Sequence, residues 1–197
     1  MKIQNIFLNV SKFFILSDND ILELSNRGLE RSVRRKHFIL HEGDICNHIS
    51  FVVKGCFKMF AVDDSGKEHI ISFFQENDWI SELGSFYSEE PSKFFIEAIE
   101  PSLIIQFSRK DIYFMYEQSL NFSSLIRMMV ENKFIELQKH VLQNISSSAE
   151  ARYIDFLRQY PALSERIPNT YIASYIGITP EFLSKIRKKL SSEKLQS

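Results

Sequence analysis

The chain is predicted to fold as α+β, with an antiparallel β jelly roll on the N-terminal side, one long helix, and a C-terminal helix-turn-helix. Three observations lead there. From about Val33 to Phe107, runs of four to eight residues rich in Phe, Ile and Val alternate with turn-forming stretches, and no helical period intervenes. From Ser108 to about Ile145, apolar residues recur every three or four positions. From Ile167 to Leu190, two shorter helical patterns flank Gly177.

At 197 residues and 44% hydrophobic, the chain suffices for two modest cores. Its net charge of −1 gives it no overall attraction for nucleic acid or an acidic membrane, so such binding needs a local patch. From Thr179 to Lys194 five cations (Lys185, Arg187, Lys188, Lys189, Lys194) stand against two anions, Glu181 and Glu193. A second cluster, Arg31, Arg34, Arg35 and Lys36, reads first as a solvated surface. Two cysteines, Cys46 and Cys56, argue against a disulfide scaffold or a four-cysteine iron–sulfur centre and fit a reducing cytoplasm; two buried structural thiols are the plainer reading. The opening MKIQNIFLNVSKFFIL is interrupted by Asn5, Asn9, Ser11 and Lys12 and is read as neither a signal peptide nor a membrane span.

In chain order, Ser17-Asp18-Asn19-Asp20 offers a cap for a short helix running towards Gly28. The strand runs follow: HFILH, ISFVV, CFKMFAV, EHIISFF, KFFIEAI and LIIQF, divided by Glu42-Gly43-Asp44, Lys54-Gly55, Asp63-Asp64-Ser65-Gly66 and Gln75-Glu76-Asn77-Asp78. CFKMFAV places Phe57, Met59 and Ala61 on one face and Lys58, Phe60 and Val62 on the other. Short strands at this interval suggest a sandwich or jelly roll. Ser108-Arg109-Lys110-Asp111 then opens the long helix, whose stripe includes Phe122, Ile126, Val130, Phe134, Leu137, Val141 and Ile145. That stripe packs partly on the sheet and partly on its copy in a second subunit, or else is buried within one subunit. Ser146-Ser147-Ser148 reads as a hinge, and AEARYIDFLRQYPAL as a further helix with Tyr153, Phe156 and Leu157 inward.

In the last segment Ile172 and Ile176 share one helical face and Ala173 allows close helix approach. Gly177 supplies the positive φ of a turn. Thr179 caps the next helix, Pro180 occupies its first position and Glu181 favours its positive dipole end. Phe182, Leu183, Ile186 and Leu190 are expected to form the buried face. Ser184, Lys185, Arg187 and Lys188, with Lys189 alongside, face outward and suit phosphates and base edges in a major groove. Any αα-corner with a solvated basic face shares part of this pattern, although Ala173, Gly177 and Leu183 together favour the helix-turn-helix.

A turn-rich barrel, a long helix and a helix-turn-helix, in that order, resemble the Crp/Fnr family of bacterial transcription regulators over nearly the whole chain. HEGD followed by ISFVVKGCFKMF is similar to the family's barrel signature, with Gly43 and Gly55 shaping turns. Trp79-Ile80-Ser81-Glu82-Leu83 sits where the family's phosphate-binding cassette begins, and positions 179 to 188 where its recognition helix lies. AEARY, IASYIGITPE and LSKIRK look most like members from Bacteroidetes. The resemblance implies a cytoplasmic, non-enzymatic homodimer that binds double-stranded DNA and works with RNA polymerase, away from membranes. It divides the chain into a jelly-roll sensor with an N-terminal helix (1–110), a dimerisation helix (111–145) and a DNA-binding domain (146–197).

Departures from the family pattern shape the site expectations. Cyclic-nucleotide-binding members carry a glycine before the cassette glutamate and an arginine about ten residues later; here Ser81 and Ser92 stand there. A serine hydroxyl does not replace a guanidinium's bidentate grip on phosphate, and Lys93, next to Ser92, points to the other face of a strand. No cofactor or metal is therefore expected, cyclic nucleotide is disfavoured, and the candidate pocket of Ser81, Glu82, Leu83, Ser92 and Lys93 would take an unidentified effector; Glu82 equally suits a helix or turn cap. Only SSEKLQS follows Leu190, so the family's β-hairpin wing is expected to be absent or vestigial and salt dependence shallow. With Pro180 at a position that often reads bases, readout falls to Glu181, Ser184 and Lys185, Thr179 and Lys188 take phosphate roles, and Arg187 is a further DNA-binding residue. Thr179 and Lys188 also read as a plain cap and a solvated charge.

Two rival classes remain. A cupin-like metal enzyme would use some of His37, His41, His48, His69 and His140, but no H-x-H pair occurs. A dimeric sensor or interaction module that has lost DNA binding is the other.

Overall fold

The computed structural model describes residues 17–194. The expected MKIQNIFLNVSKFFIL reading lies outside them. The described residues form two compact units, one from residues 17–61 and 72–133, the other from residues 62–71 and 134–194.

The first unit holds the jelly roll apart from residues 62–71, which fall in the second. Its strands are β1 (Leu29–Val33), β2 (Phe38–Leu40), β3 (His48–Lys54), β4 (Phe57–Val62), β5 (Glu68–Phe74), β6 (Trp79–Ile80), β7 (Phe95–Ala98) and β8 (Ser102–Ser108). They form two four-stranded sheets, ordered β1-β8-β3-β6 and β2-β7-β4-β5, and every recorded pairing is antiparallel. Phe51, Phe57, Ile96, Ala98, Ile104 and Phe107 from the two inner faces meet in one core. Phe57 and Met59 join it, as the β4 alternation predicts, yet Lys58 and Phe60 on the other face are buried too. Lys58 Nζ lies 3.2 Å from Glu97 Oε2 and 4.1 Å from the centre of the Phe60 ring. Gly55, at φ +101°, turns the chain where a Cβ would lie 2.1 Å from Ser102 Oγ.

Two strands escape the sequence pattern. In β1, LERSV, four of five residues are exposed, because it pairs only with β8 at a sheet edge. In β6 only two residues pair with Phe51 and Ser50. Helix α1 (Asp18–Arg27) begins at Ser17, whose side chain and that of Asp20 form a reciprocal capping box. Helix α2 (Leu83–Ser88) follows β6.

The long helix differs from expectation at its start. Helix α3 (Arg109–Gln118) stops at Ser119, which leaves helical backbone at φ −140° and ψ 112°, and α4 (Leu120–Ser146) begins anew. Ser119 is why: its Oγ accepts from Phe122 N at 3.1 Å, the bond of an N-cap, so it starts the second helix instead of continuing the first. The 27 residues of α4 still make the longest element among the described residues.

The second unit contains the end of α4, the β4–β5 turn and four further helices: α5 (Ala149–Gln159), α6 (Leu163–Arg166), α7 (Asn169–Tyr175) and α8 (Pro180–Lys194). The short α6 carries too few residues for a sequence period. Ser148 caps α5, and Arg152 ties the unit together through Nε to Ile176 O at 2.9 Å and Nη1 to Ser147 O at 2.7 Å. His140 stacks on Tyr175 with centroids 4.4 Å apart, beside Phe156 and Tyr160. Ser174 Oγ donates to Glu68 O at 2.9 Å and accepts from Ile70 N at 3.1 Å. No helix among the described residues is long and apolar enough to cross a membrane.

Candidate nucleic-acid interface and jelly-roll cavity

Helices α7 and α8 pack through Ile172, Ala173, Ile176, Leu183 and Ile186, all buried. Gly177 takes φ +69°, and its N–H and that of Ile178 close the turn onto Ser174 O and Ala173 O. Thr179 Oγ1 accepts from Phe182 N at 3.3 Å, and Pro180 is the first residue of α8. The Glu181 carboxyl is held below its ordinary range by its own backbone N–H and by the Thr179 hydroxyl. Its charge therefore sits at the dipole's positive end.

At about 100° per residue, Glu181, Ser184, Lys185 and Lys188 fall on one face of α8, opposite Leu183 and Ile186. All four are exposed, as is Thr179. Ser184 Oγ donates to Pro180 O at 2.9 Å and keeps its lone pairs for an outside donor. Arg187 stands apart, half-buried, donating to Asn169 Oδ1 at the start of α7. Lys189 pairs with Glu150 at 2.7 Å. One expectation is overturned: Phe182 is 48% exposed, while Leu183 is 0% and Ile186 5% exposed. The buried arc of α8 is narrower than the hydrophobic pattern suggests, because α7 is only seven residues long and covers one stripe.

On α4, Phe134, Leu137, Val141 and Ile145 are exposed at spacings of three and four, flanked by exposed Ile135 and Leu142. This is an apolar seam of the kind that a second helix covers.

A cavity of about 300 Å³ opens in the first unit, among Ile39, Leu40, Ile45, Ile80 and Ile96 and the polar residues Asp44, Asn47, His48, Ser50, Ser81 and Gln106, with Cys46. Of the five pocket residues expected from sequence, only Ser81 lines it. Glu82 is the N-cap of α2, accepting from Gly84 N at 2.9 Å and Ser85 N at 2.8 Å. Leu83 opens α2. Ser92 is buried with its hydroxyl closed onto the Phe94 backbone, and Lys93 is exposed. These residues do not fit a cyclic phosphate: no Lys or Arg is among the lining residues, and the backbone donors at α2 are already occupied by a carboxylate. Two cations border the wall and both are engaged: Arg31 donates to Gln106 Oε1 at 3.3 Å and Phe38 O at 3.4 Å, and Arg109 donates to Cys46 O at 2.8 Å and pairs with Glu89 at 2.8 Å.

Sequence reasoning named His48 only among the histidines open to a metal enzyme, not as a cavity residue, and missed Ser50 and Gln106. Ser50 and Gln106 face each other across β3 and β8, and Gln106 Nε2 donates to Ser50 Oγ at 3.3 Å. A glutamine inside LIIQF was the available signal. His48, exposed at the cavity rim, is held below its ordinary value by partial desolvation first and then by the Arg31 charge, against an opposing pull from Asp111. Cys46 and Cys56 are buried free thiols, and among the described residues no three His, Cys, Asp or Glu side chains cluster for a metal ion.

With this geometry in view, similarity to known proteins is informative. Residues 30–119 match the model of the cyclic nucleotide-binding domain. The chain is 22% identical over 174 residues to the cAMP-activated global transcriptional regulator CRP of Salmonella typhimurium, covering 82% of each protein. Its fold is similar to that of FixK2 from Bradyrhizobium japonicum, with TM-score 0.77 and 18% identity over 85% of this chain and 86% of that one. It is similar also to the c-di-GMP responsive global regulator CLP of Xanthomonas campestris, with TM-score 0.73 and 14% identity over 91% and 94%.

Proposed function

We propose that this chain, a member of the Crp/Fnr family with a cyclic nucleotide-binding-type domain over residues 30–119, is a cytoplasmic transcription regulator that binds a pseudo-palindromic promoter site as a homodimer. The observation that carries the reading is the outward face of α8, where Glu181, Ser184, Lys185 and Lys188 lie together over a buried helix-turn-helix core. Glutamate accepts from cytosine N4 and lysine donates to guanine O6 and N7, while Thr179, Lys188 and Arg187 suit phosphates. The α4 seam supports dimerisation. Two α8 helices held about 34 Å apart then enter successive major grooves on one face of the duplex. RNA polymerase is the partner through which such a bound dimer acts.

The jelly-roll cavity is the place for an effector, and its lining favours one other than a cyclic phosphate. Such a ligand switches the protein only by binding one arrangement of the helices better than another. The exposed basic helix and the relatives, which are transcriptional regulators, support a regulator over an enzyme.

Selection of bound fragments from sheared genomic DNA by the purified protein, near physiological salt, tests the proposal. Enrichment of an inverted repeat, lost in Lys185→Ala, is the expected outcome. If no sequence is enriched, with or without cell metabolite extract, DNA binding is refuted and the interaction-module alternative takes its place. Sedimentation of Leu137→Asp/Val141→Asp as a monomer, against a dimeric parent, tests the seam; an unchanged dimer places the interface elsewhere.

A further inference from the structure

The DNA-binding reading leaves Phe182 unexplained. It is the only exposed large apolar residue on α8 among the described residues, in the first turn of the helix proposed to enter the groove. An isolated exposed apolar side chain is ordinary on a protein surface. The surroundings of this one are not ordinary. Phe182 lies about 60° around the helix from Lys185 and about 100° from Glu181, between the polar face and the buried stripe. Its backbone N–H is fixed by the Thr179 cap at 3.3 Å, so the turn that carries it is pinned. Helical side chains lean towards the N-terminus, which carries the ring towards the end of α8 that inserts first. A benzyl group has few rotamers, so little freedom is lost when it is seated.

We infer that Phe182 is a specificity-determining residue that packs against the C5-methyl of a thymine in each half-site. Of the major-groove edges, the thymine methyl is the apolar one, and an aromatic side chain at the border of the polar face, one turn before Lys185, which suits guanine, is complementary to it in both shape and polarity. The inference rests on the DNA-binding proposal and adds to it a base that polar readout alone does not select.

Deoxyuridine, which differs from thymidine only by that methyl, tests it. An operator obtained by selection from random duplexes is resynthesised with each thymine replaced in turn by deoxyuridine, and affinity is measured for the parent and for Phe182→Ala. The parent is expected to lose about fourfold at one symmetric thymine position, the value of a single buried methyl-sized group. Phe182→Ala should bind thymine and uracil operators equally there and keep the salt dependence of the parent, since no phosphate contact is removed. Equal losses in parent and variant, or no sensitive thymine in the parent, overturn the inference while leaving the DNA-binding proposal intact. Failure of the parent to select any duplex overturns both.

Discussion

The polar residues of the jelly roll and those of α8 meet opposite fates. In the jelly roll, Glu82 caps a helix, the Ser92 hydroxyl bonds the Phe94 backbone, and Lys58 and Glu97 bury each other. On α8, Glu181, Ser184, Lys185 and Lys188 remain exposed over an apolar stripe. A polar side chain taken up by its own fold has little left for a ligand, whereas one left on a helix face still has its binding capacity. The contrast indicates that the α8 surface proposed to meet DNA is preformed and that the cavity relies on other groups.

The largest expected effect strikes at the buried pair. Lys58→Ala leaves the Glu97 carboxylate uncompensated and is expected to destabilise the protein by about 3–5 kcal/mol, read from denaturant unfolding. Replacing both partners, as Lys58→Met with Glu97→Leu, should recover most of that loss. If the single variant is as stable as the parent, the pair is not taken up structurally and this half of the comparison breaks. Next in size, Lys185→Ala is expected to weaken operator binding by about 1–3 kcal/mol while leaving the melting temperature unchanged. A fall in stability would mean that α8 uses Lys185 as the jelly roll uses Lys58.

A smaller effect separates cap from ligand group at Glu82. Glu82→Ala should cost about 1 kcal/mol of stability with no ligand present, as loss of an N-cap does. If stability is unchanged, Glu82 is not serving α2, and a binding role returns. Titration with cyclic AMP should leave the parent's melting temperature where it was; a rise would show that the cavity accepts a cyclic phosphate without a lining cation.

How far each region was legible follows from the same contrast. The faces of α8 repeat along a few consecutive turns, so the positions of Leu183, Ile186, Lys185 and Lys188 were readable from spacing. Phe182 was not, since hydrophobicity gives the residue's preference but not the width of the neighbour that covers it. Six of the eight strands stood out as apolar runs; β1 failed because an edge strand with four exposed residues carries no such run. Cavity walls are harder still. Asp44 and His48, Ser81, and Gln106 come from three separated stretches of the chain, and the pairing of β3 with β8 and β6 brings those stretches together. The interruption at Ser119 was hidden because serine suits a cap and a helix surface alike.

The smallest prediction uses pH to tell the two regions apart. His48 lines the cavity, and partial desolvation together with the Arg31 charge lowers its affinity for a proton below the ordinary value of 6.5, Asp111 pulling the other way. As pH falls, the unfolded chain therefore takes up this proton before the folded one does. Where the unfolded state binds more protons, stability rises with pH, so the contribution from His48 is fully present above the ordinary value and is lost as pH drops below it towards the folded one. Asp20 and Asp111, both lowered from 3.8, keep their stabilising contribution throughout that range and lose it only in stronger acid. The melting temperature should thus decline between about pH 7 and about pH 5, and decline less in His48→Asn. Over the same range the lowered Glu181 stays ionised, so Glu181→Gln should not alter the slope. Parallel curves for His48→Asn and the parent would mean that the partial desolvation of His48 is too slight to move its proton, and the two regions would then respond to pH alike.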